Sequence, residues 1–391
     1  MDFAASIGKE IYINLVKKIS NHTKNKHHKI VFLLSFPSTS QSILDSLYEK
    51  FKEDLVICYT ENGTKVAKKY QNKGCAIYAI NHFPTLLTKI VPLVKGSCVV
   101  LCDNYYAFLA GMNFFEETVV VQLWHANGAI KLFGLNANYA KKASLKDQKR
   151  YLEVYKKFTH YVVSSEKMAR IFKNNYRQKI VQLPFGYLPT DYYFKTECIK
   201  DSKKNVREHF QTSKKIALYA PTYREKKSNI PLDFSKLSHL LGSEWLLFVK
   251  AHPHDELLKQ RLSHEANIIT DFKGMSLQEI LPSVDCLITD YSSIPFEYSL
   301  ANPIGKIIFF CYDLSEYQKE VGIENDFMDW APGKIVRTES ELIKEIQNET
   351  YQNLDSFNQL WNEYVTGNAT NQLIEWVEKK YANRKDNGNI C

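Results

Sequence analysis

Short apolar runs alternate with amphipathic segments along almost the whole chain. In the first half, "KIVFLLSF" (29–36), "DLVICYT" (54–60), "CAIYAI" (75–80), "SCVVLCD" (97–103), "ETVVVQLWH" (117–125) and "HYVVSS" (160–165) read as strands. Between the first two, "STSQSILDSLYEKF" (38–51) has helical periodicity and opens on serines suited to an N-cap. Near-continuous apolar strands separated by helices indicate a parallel sheet covered on both faces. The stretch "VQLPFGYLPTDYYF" (181–194) breaks the pattern with two prolines and a glycine, and reads as the approach to a linker. The alternation then restarts. "KKIALYAPTYR" (214–224), "WLLFVKAHPH" (245–254), "NIIT" (267–270), "DCLITDYSS" (285–293) and "GKIIFFCYD" (305–313) are the next strands. Helical segments such as "SLQEILPSV" and "SIPFEYSLAN" lie between them, and an amphipathic tail, "TNQLIEWVEKKYAN", closes the chain. The pattern therefore predicts an α/β protein of two doubly wound, Rossmann-like parallel-sheet domains facing each other across a cleft.

Length and composition agree with two domains. The 391 residues are 45% hydrophobic, with 15 Gly and 12 Pro, which excludes fibrous and disordered classes. The expected organisation is a basic amphipathic segment over 1–28, a first domain over 29–192 and a second over 193–391 including the terminal helix. The eight cysteines form no CxxC pair and mostly sit in apolar runs. They read as small core residues, neither disulfides nor a metal site. No cofactor is expected.

Charge is concentrated at one place. Much of the net +8 is diffuse, but "KKISNHTKNKHHK" (17–29) concentrates it. Just ahead, Ile7, Ile11, Leu15 and Ile19 recur at helical spacing. An apolar stripe beside a basic cluster suits a helix lying on an anionic membrane surface; an ordinary first helix followed by a solvated basic loop suits it equally. Residues 2–20 lack the layout of a secretory signal, and no apolar run reaches the ~18 residues of a membrane span. The patch lacks interleaved aromatics, so nucleic acid is not the expected partner.

Ligands on doubly wound sheets bind beyond the carboxyl ends of the strands, and polar residues collect there in both halves. "VVVQLWHANG" (119–128) delivers Trp124 and His125 into a turn with Asn127 and Gly128. A histidine suits taking a proton from a hydroxyl near neutral pH; a packed histidine at a strand end is the alternative. Asp103 and Asp191 are candidates for its acidic partner. In "ITDYSSIPFEYS" (288–299), Asp290 ends a strand, Ser292 and Ser293 precede a helix and Glu297 lies one turn in. Two hydroxyls at a helix start make an anion cradle, or simply cap the helix. "YAPTYRE" contributes Thr222 and Arg224, whose planar fork matches phosphate or pairs with a neighbouring acid. "KAHPH" contributes His252 and His254, and no third ligand completes a metal site with them. Together the second-half residues have the character of a diphosphate site.

The ordered motifs "LWHANGAIKLFG", "YAPTYR", "KAHPH" and "LITDYSSIPFEY" closely resemble the CDP-glycerol glycerophosphotransferase family of wall teichoic acid synthesis, over roughly residues 95–335. The resemblance implies a GT-B-like fold and transfer of glycerol phosphate from CDP-glycerol, with release of CMP, to an undecaprenyl-diphosphate-linked disaccharide, bare or already primed. It also implies a peripheral position on the cytoplasmic membrane face of a Gram-positive bacterium. Carried over by motif, His125 is the base and His252 stabilises the leaving group, while Arg224, Asp290, Ser292 and Ser293 serve the donor. The turn departs from the commoner "WHG" form by inserting Ala126 and Asn127 before Gly128. The chain length favours a primase or short-chain transferase over a polymerase. Two other functions fit the same fold: a nucleotide-sugar glycosyltransferase, and a non-catalytic membrane-bound nucleotide sensor or scaffold.

Overall fold

The apolar runs become strands buried on both faces, with the carboxyl end of each opening into a polar loop. The computed structural model describes residues 2–222, 224, 230–251, 255–262, 268–348 and 350–388. The chain divides into two units. The first comprises the residues up to Ala126, Phe133–Asp191 and the chain from Tyr364 onward; the second comprises Asn127–Leu132 and Tyr192–Glu363.

The first unit holds β1 (Ile30–Leu34), β2 (Leu55–Tyr59), β3 (Ala76–Ala79), β4 (Val99–Cys102), β5 (Val119–Gln122), β6 (His160–Val162) and β7 (Val181–Leu183). They pair in the order β3-β2-β1-β4-β5-β6-β7, every pair parallel. The order reverses between β1 and β4, which makes their carboxyl ends the crevice of this sheet. The core sets Phe32, Leu34, Ile57, Leu101 and Val121 against Ile43, Leu44 and Leu47 of the helix Pro37–Phe51.

The second unit repeats the plan with β8 (Lys215–Ala220), β9 (Trp245–Val249), β10 (Ile268–Ile269), β11 (Cys286–Thr289), β12 (Ile304–Phe310) and β13 (Lys334–Val336). Their order is β10-β9-β8-β11-β12-β13, again parallel, with β14 (Gln352–Asn353) antiparallel on β12. The reversal falls between β8 and β11. Tyr219, Val249, Ile288 and Phe310 pack against Leu237, Leu258 and Leu342 on the covering helices.

Three expectations are corrected. The tail belongs to the first unit: Ala369, Leu373 and Val377 are fully buried among the β1–β4 core residues. Burying a Leu or Val side chain contributes about 1.5–3 kcal/mol, and amphipathicity alone does not say which sheet receives it. The segment Asn127–Leu132, expected inside the first domain, belongs to the second unit. The helix Pro37–Phe51 does not open on a serine cap. Pro37 occupies the first turn, where its fixed φ and missing N–H cost nothing. The N–H groups of Ser35 and Phe36 are taken by the Asp103 carboxylate instead, at 2.8–3.0 Å.

The first helix runs Asp2–His22. Val16 and Ser20 are buried, while Ile7, Ile11 and Leu15 are 44%, 55% and 37% exposed. Ile19 is half-buried. The helix thus turns one face inward and leaves three of the four predicted stripe residues in solvent. In the basic segment that follows, Lys26 pairs with Glu117 and Lys29 with Asp54. Among the described residues, no helix is long and apolar enough to cross a membrane.

Candidate functional site

Both sheets build their crevice with the same device, an aspartate immediately after the fourth strand. In the first unit this is Asp103, after β4. Its carboxylate accepts from the N–H groups of Ser35 and Phe36, from the Ser40 hydroxyl at 3.1 Å and from the Tyr106 hydroxyl at 2.7 Å. Burial raises its pKa above the ordinary carboxylate value, while those donors pull the other way. With its side chain spent on the β1 loop, Asp103 reaches His125 through its main chain. The Nδ1 of His125 lies 2.8 Å from the Asp103 carbonyl oxygen. A carbonyl only accepts, so Nδ1 carries the proton and donates. The neutral ring then holds its lone pair on Nε2, the tautomer a base requires.

The His125 ring is fixed from two more sides. It stacks on Phe36, with centroids 3.7 Å apart and planes 7° from parallel. It also lies 4.6 Å from the Trp124 ring. Trp124 has φ +64, a left-handed conformation that costs about 1–2 kcal/mol for a residue with a Cβ. That strain is held by specific partners. The Trp124 N–H donates to Gln122 Oε1 at 2.9 Å, and Gln122 Nε2 donates to the Asn104 carbonyl at 3.3 Å. The indole packs on Phe133 and Phe172 at 4.5 and 5.4 Å. Strained residues held by their surroundings in this way cluster at active sites and ligand clamps. Gln122 and Phe36 were not foreseen; their only sequence signal is position, at the last residue of β5 and two residues past β1. Asp191, the other candidate partner of His125, instead caps the C-terminal helix by accepting from Ala369 and Thr370 N–H groups at 2.9 and 2.7 Å.

The second unit's aspartate is Asp290, after β11. Its Oδ1 accepts from the N–H of Thr222 at 2.8 Å and of Tyr291 at 2.6 Å, and its Oδ2 from Arg224 at 2.9 Å. Arg224 Nε and Nη2 donate to Asp313 at 2.8 and 3.1 Å, and Nη1 donates to the Thr222 carbonyl. Its plane lies over the Tyr317 ring at 4.6 Å. Burial alone would lower this guanidinium's pKa; Asp290 and Asp313 more than offset that and raise it. All three guanidinium nitrogens are therefore engaged with protein, and the side chain is 9% exposed. Arg224 shapes the Thr222 loop and does not present an open fork.

What this clamp leaves unspent lies beside it. The Thr222 hydroxyl is buried with no hydrogen-bond partner among the described residues. Ser292 Oγ accepts from the Ile294 N–H at 3.2 Å, while Ser293, directly before the helix Ile294–Ala301, makes no side-chain cap bond. The helix start thus retains a hydroxyl and a dipole suited to an anion. Burial pushes the Glu297 carboxyl up to about 7, against the pull of the Tyr193 hydroxyl 3.4 Å away. His252 and His254 lie outside the described residues.

Asn127–Leu132 forms a strap on this unit. Asn127 Nδ2 donates to Asn362 Oδ1 at 2.8 Å and to the Phe296 carbonyl at 3.4 Å. The Ile130 carbonyl accepts from Glu324 N–H, and Leu132 N–H donates to the Gly322 carbonyl. Gly128 takes φ +59 with Phe296 pressed against it. The strap carries Lys131, whose pKa is lowered by surrounding protein and raised in turn by Asp290, although the residue is exposed. Lys131 was missed in the sequence, where it stands inside the quoted "AIKLFG". The first unit therefore holds His125 with Trp124, and the second holds Asn127, Gly128, Thr222, Arg224, Asp290, Ser292, Ser293 and Glu297.

Comparison with known proteins follows the same lines. The teichoic acid glycerol-phosphate primase of Bacillus subtilis (strain 168) is 33% identical over 358 residues, covering 90% of this chain and 91% of its own. The teichoic acid ribitol-phosphate primase of Bacillus spizizenii is 27% identical, covering 96% and 97%. The solved wall teichoic acid polymerase TagF superposes with a TM-score of 0.74 over 98% of this chain and 100% of that one, at 17% identity, and so shares the two-domain GT-B-like fold. A model of the CDP-glycerol:poly(glycerophosphate) glycerophosphotransferases matches residues 17–379, and to that family of transferases the chain belongs.

Proposed function

We propose that the protein is a priming glycerophosphotransferase: it transfers glycerol phosphate from CDP-glycerol to a lipid-linked teichoic acid disaccharide and releases CMP. The observation that carries the mechanism is the contact of His125 Nδ1 with the Asp103 carbonyl oxygen at 2.8 Å. With Nδ1–H committed to the Asp103 carbonyl, Nε2 takes the proton of the acceptor hydroxyl as its oxygen attacks the β-phosphorus. The bond from that phosphorus to the CMP oxygen breaks, and CMP leaves with the electron pair. Phosphoryl transfer asks for positioning and charge stabilisation. The Thr222 hydroxyl, Ser293 and the helix start supply them for the diphosphate, with His252 at the leaving group. Arg224 and Asp290 hold the Thr222 loop in place.

End-to-end similarity to primases supports the priming role, and higher identity to the glycerol than to the ribitol enzyme supports the glycerol donor. The exposed Ile7, Ile11 and Leu15 beside the 17–29 lysines support peripheral contact with an anionic membrane on its cytoplasmic face. The test is turnover with CDP-glycerol or CDP-ribitol and a short-chain lipid disaccharide, bare or primed, read as CMP release and product mass. Transfer of one glycerol phosphate to the bare acceptor is expected. CMP release only with the primed acceptor, or only from CDP-ribitol, overturns the reading. His125→Ala should slow transfer by about 10²–10⁴-fold while CDP-glycerol still binds; near-normal turnover removes His125 as base.

A further inference from the structure

One side-chain cluster of the first unit has no part in this account. Tyr105 follows Asp103 by two residues at the end of β4. Its ring meets Tyr151 edge-on, with centroids 6.1 Å apart, and Tyr151 in turn meets Tyr139 at 6.3 Å. Tyr12, on the first helix, packs its ring on Phe83 with centroids 6.0 Å apart and flanks the cluster within electrostatic reach of Tyr105. Tyr139 is 63% exposed and the other three are half-buried. None of the four hydroxyls makes a hydrogen bond to another described residue. Tyr106, Tyr155 and Tyr161 show the contrast: they are buried in the same unit, and the hydroxyls of Tyr106 and Tyr161 are bonded. The four open tyrosines thus offer apolar ring surface and unspent polar tips together. A charged rim adjoins them, where Asp147 pairs with Lys9 at 3.1 Å and Arg150 at 2.8 Å; Asp147 also lies within electrostatic reach of Tyr105.

Position narrows the occupant. At one side, Asp103 holds the base. At the other, Tyr12 sits on the helix between Ile11 and Leu15, which are exposed. An acceptor with a lipid at one end and a reacting hydroxyl at the other places its sugars between these two features. A pyranose ring has an apolar C–H face and a periphery of hydroxyls, which matches tyrosine: a rigid amphipathic surface that loses little entropy on binding. We propose that Tyr12, Tyr105, Tyr139 and Tyr151 form a platform on which the uncharged sugar rings of the acceptor disaccharide stack, between the lipid side and His125. The proposal rests on the acceptor reading above.

The test pairs binding with kinetics. The probe is a soluble di-N-acetylhexosamine carrying a diphosphate and a short alkyl chain, followed by saturation-transfer NMR and calorimetry. Wild type should bind it with ring-proton saturation. Tyr139→Ala, at an exposed site where folding is unaffected, should weaken binding about ten-fold, and Tyr139→Phe should retain most of it. In turnover assays, Tyr139→Ala and Tyr105→Ala should raise the acceptor KM and leave the CDP-glycerol KM unchanged. Tyr351→Ala, at an exposed tyrosine of the second unit, serves as the control. If wild type transfers glycerol phosphate but the Tyr139 and Tyr105 variants keep its acceptor KM, the platform is wrong and the proposed function stands. If wild type transfers nothing, the NMR arm still decides the platform: probe binding lost in Tyr139→Ala supports it, and absent or unchanged binding overturns it.

Discussion

Replacing Gly128 by alanine tests the strap directly. A Cβ on Gly128 would lie 2.6 Å from Phe296 Cδ1 and Cε1 and 2.7 Å from Cγ, well inside contact distance. Phe296 cannot step aside. It is fully buried, stacked on Phe357 at 5.3 Å and edge-on to Trp361 at 4.8 Å. Forcing a methyl into such a core costs about 1–3 kcal/mol. A further 1–2 kcal/mol comes from holding a residue with a Cβ at φ +59. The expected loss is therefore about 2–5 kcal/mol in the second unit. Gly274 supplies the control: it has φ +80, but nothing lies within 4 Å of its would-be Cβ. Gly274→Ala therefore carries the backbone strain without the overlap. Urea unfolding followed by tryptophan fluorescence separates the two, since Trp330 and Trp361 both adjoin Phe296. At about 1–3 kcal/mol per molar urea, Gly128→Ala should lower the midpoint by about 1–2 M, and Gly274→Ala, with the strain alone, by about half as much. Equal shifts would refute the clash, and with it the reason for a glycine in this motif.

Other perturbations address separate parts of the argument. Arg224→Ala leaves the buried Asp290 and the half-buried Asp313 without their cation, so the second unit should lose about 3–5 kcal/mol in urea unfolding; unchanged stability would return Arg224 to the role of a ligand-facing fork. Glu297 makes stability depend on pH. Its carboxyl stays protonated in the fold up to about 7 but ionises near 4.5 when unfolded. The unfolded state thus gains the advantage as pH rises between those values, and about 3 kcal/mol is lost by pH 7. Glu297→Gln should flatten that slope between pH 4.5 and 7, and an unaltered slope would show that Glu297 titrates normally. Leu373→Ala should destabilise the first unit by about 2–5 kcal/mol, seen as earlier hydrogen exchange in β1 and β4; earlier exchange in β8 and β11 alone would mean that the terminal helix serves the other sheet.

The parallel sheets were legible because period and burial act locally: "IVFLL" and "IIFFC" have too few polar positions to face water on either side. Two prolines and a glycine in 181–194 interrupt both periods, and the chain passes from the first unit to the long segment of the second within that stretch, at Tyr192. What failed was assignment across long separations. Nothing in "TNQLIEWVEKK" says that Leu373 and Val377 meet residues more than 250 positions earlier. Nothing in "HANGAIK" says that the chain joins the second unit at Asn127, because the reasons, Asn362 and Phe296, lie far downstream.

The aspartates make the deeper point about sites. From sequence, an acid at a strand end beside a histidine or a serine pair looks like a group that meets the ligand. In both units the carboxylate is spent on the fold's own loop: Asp103 on Ser35 and Phe36, Asp290 on Thr222 and Arg224. In each unit the acid following the fourth strand bonds the loop after the first strand, at the point where the strand order reverses. On the proposed mechanism, the working groups are those the clamp leaves over, a main-chain carbonyl that sets the tautomer of His125 in one unit and the Thr222 hydroxyl in the other. Such groups have no sequence signature, since every residue has a carbonyl and most threonines do nothing. They become legible only once the hydrogen bonds of the loop have been counted and the remainder is seen.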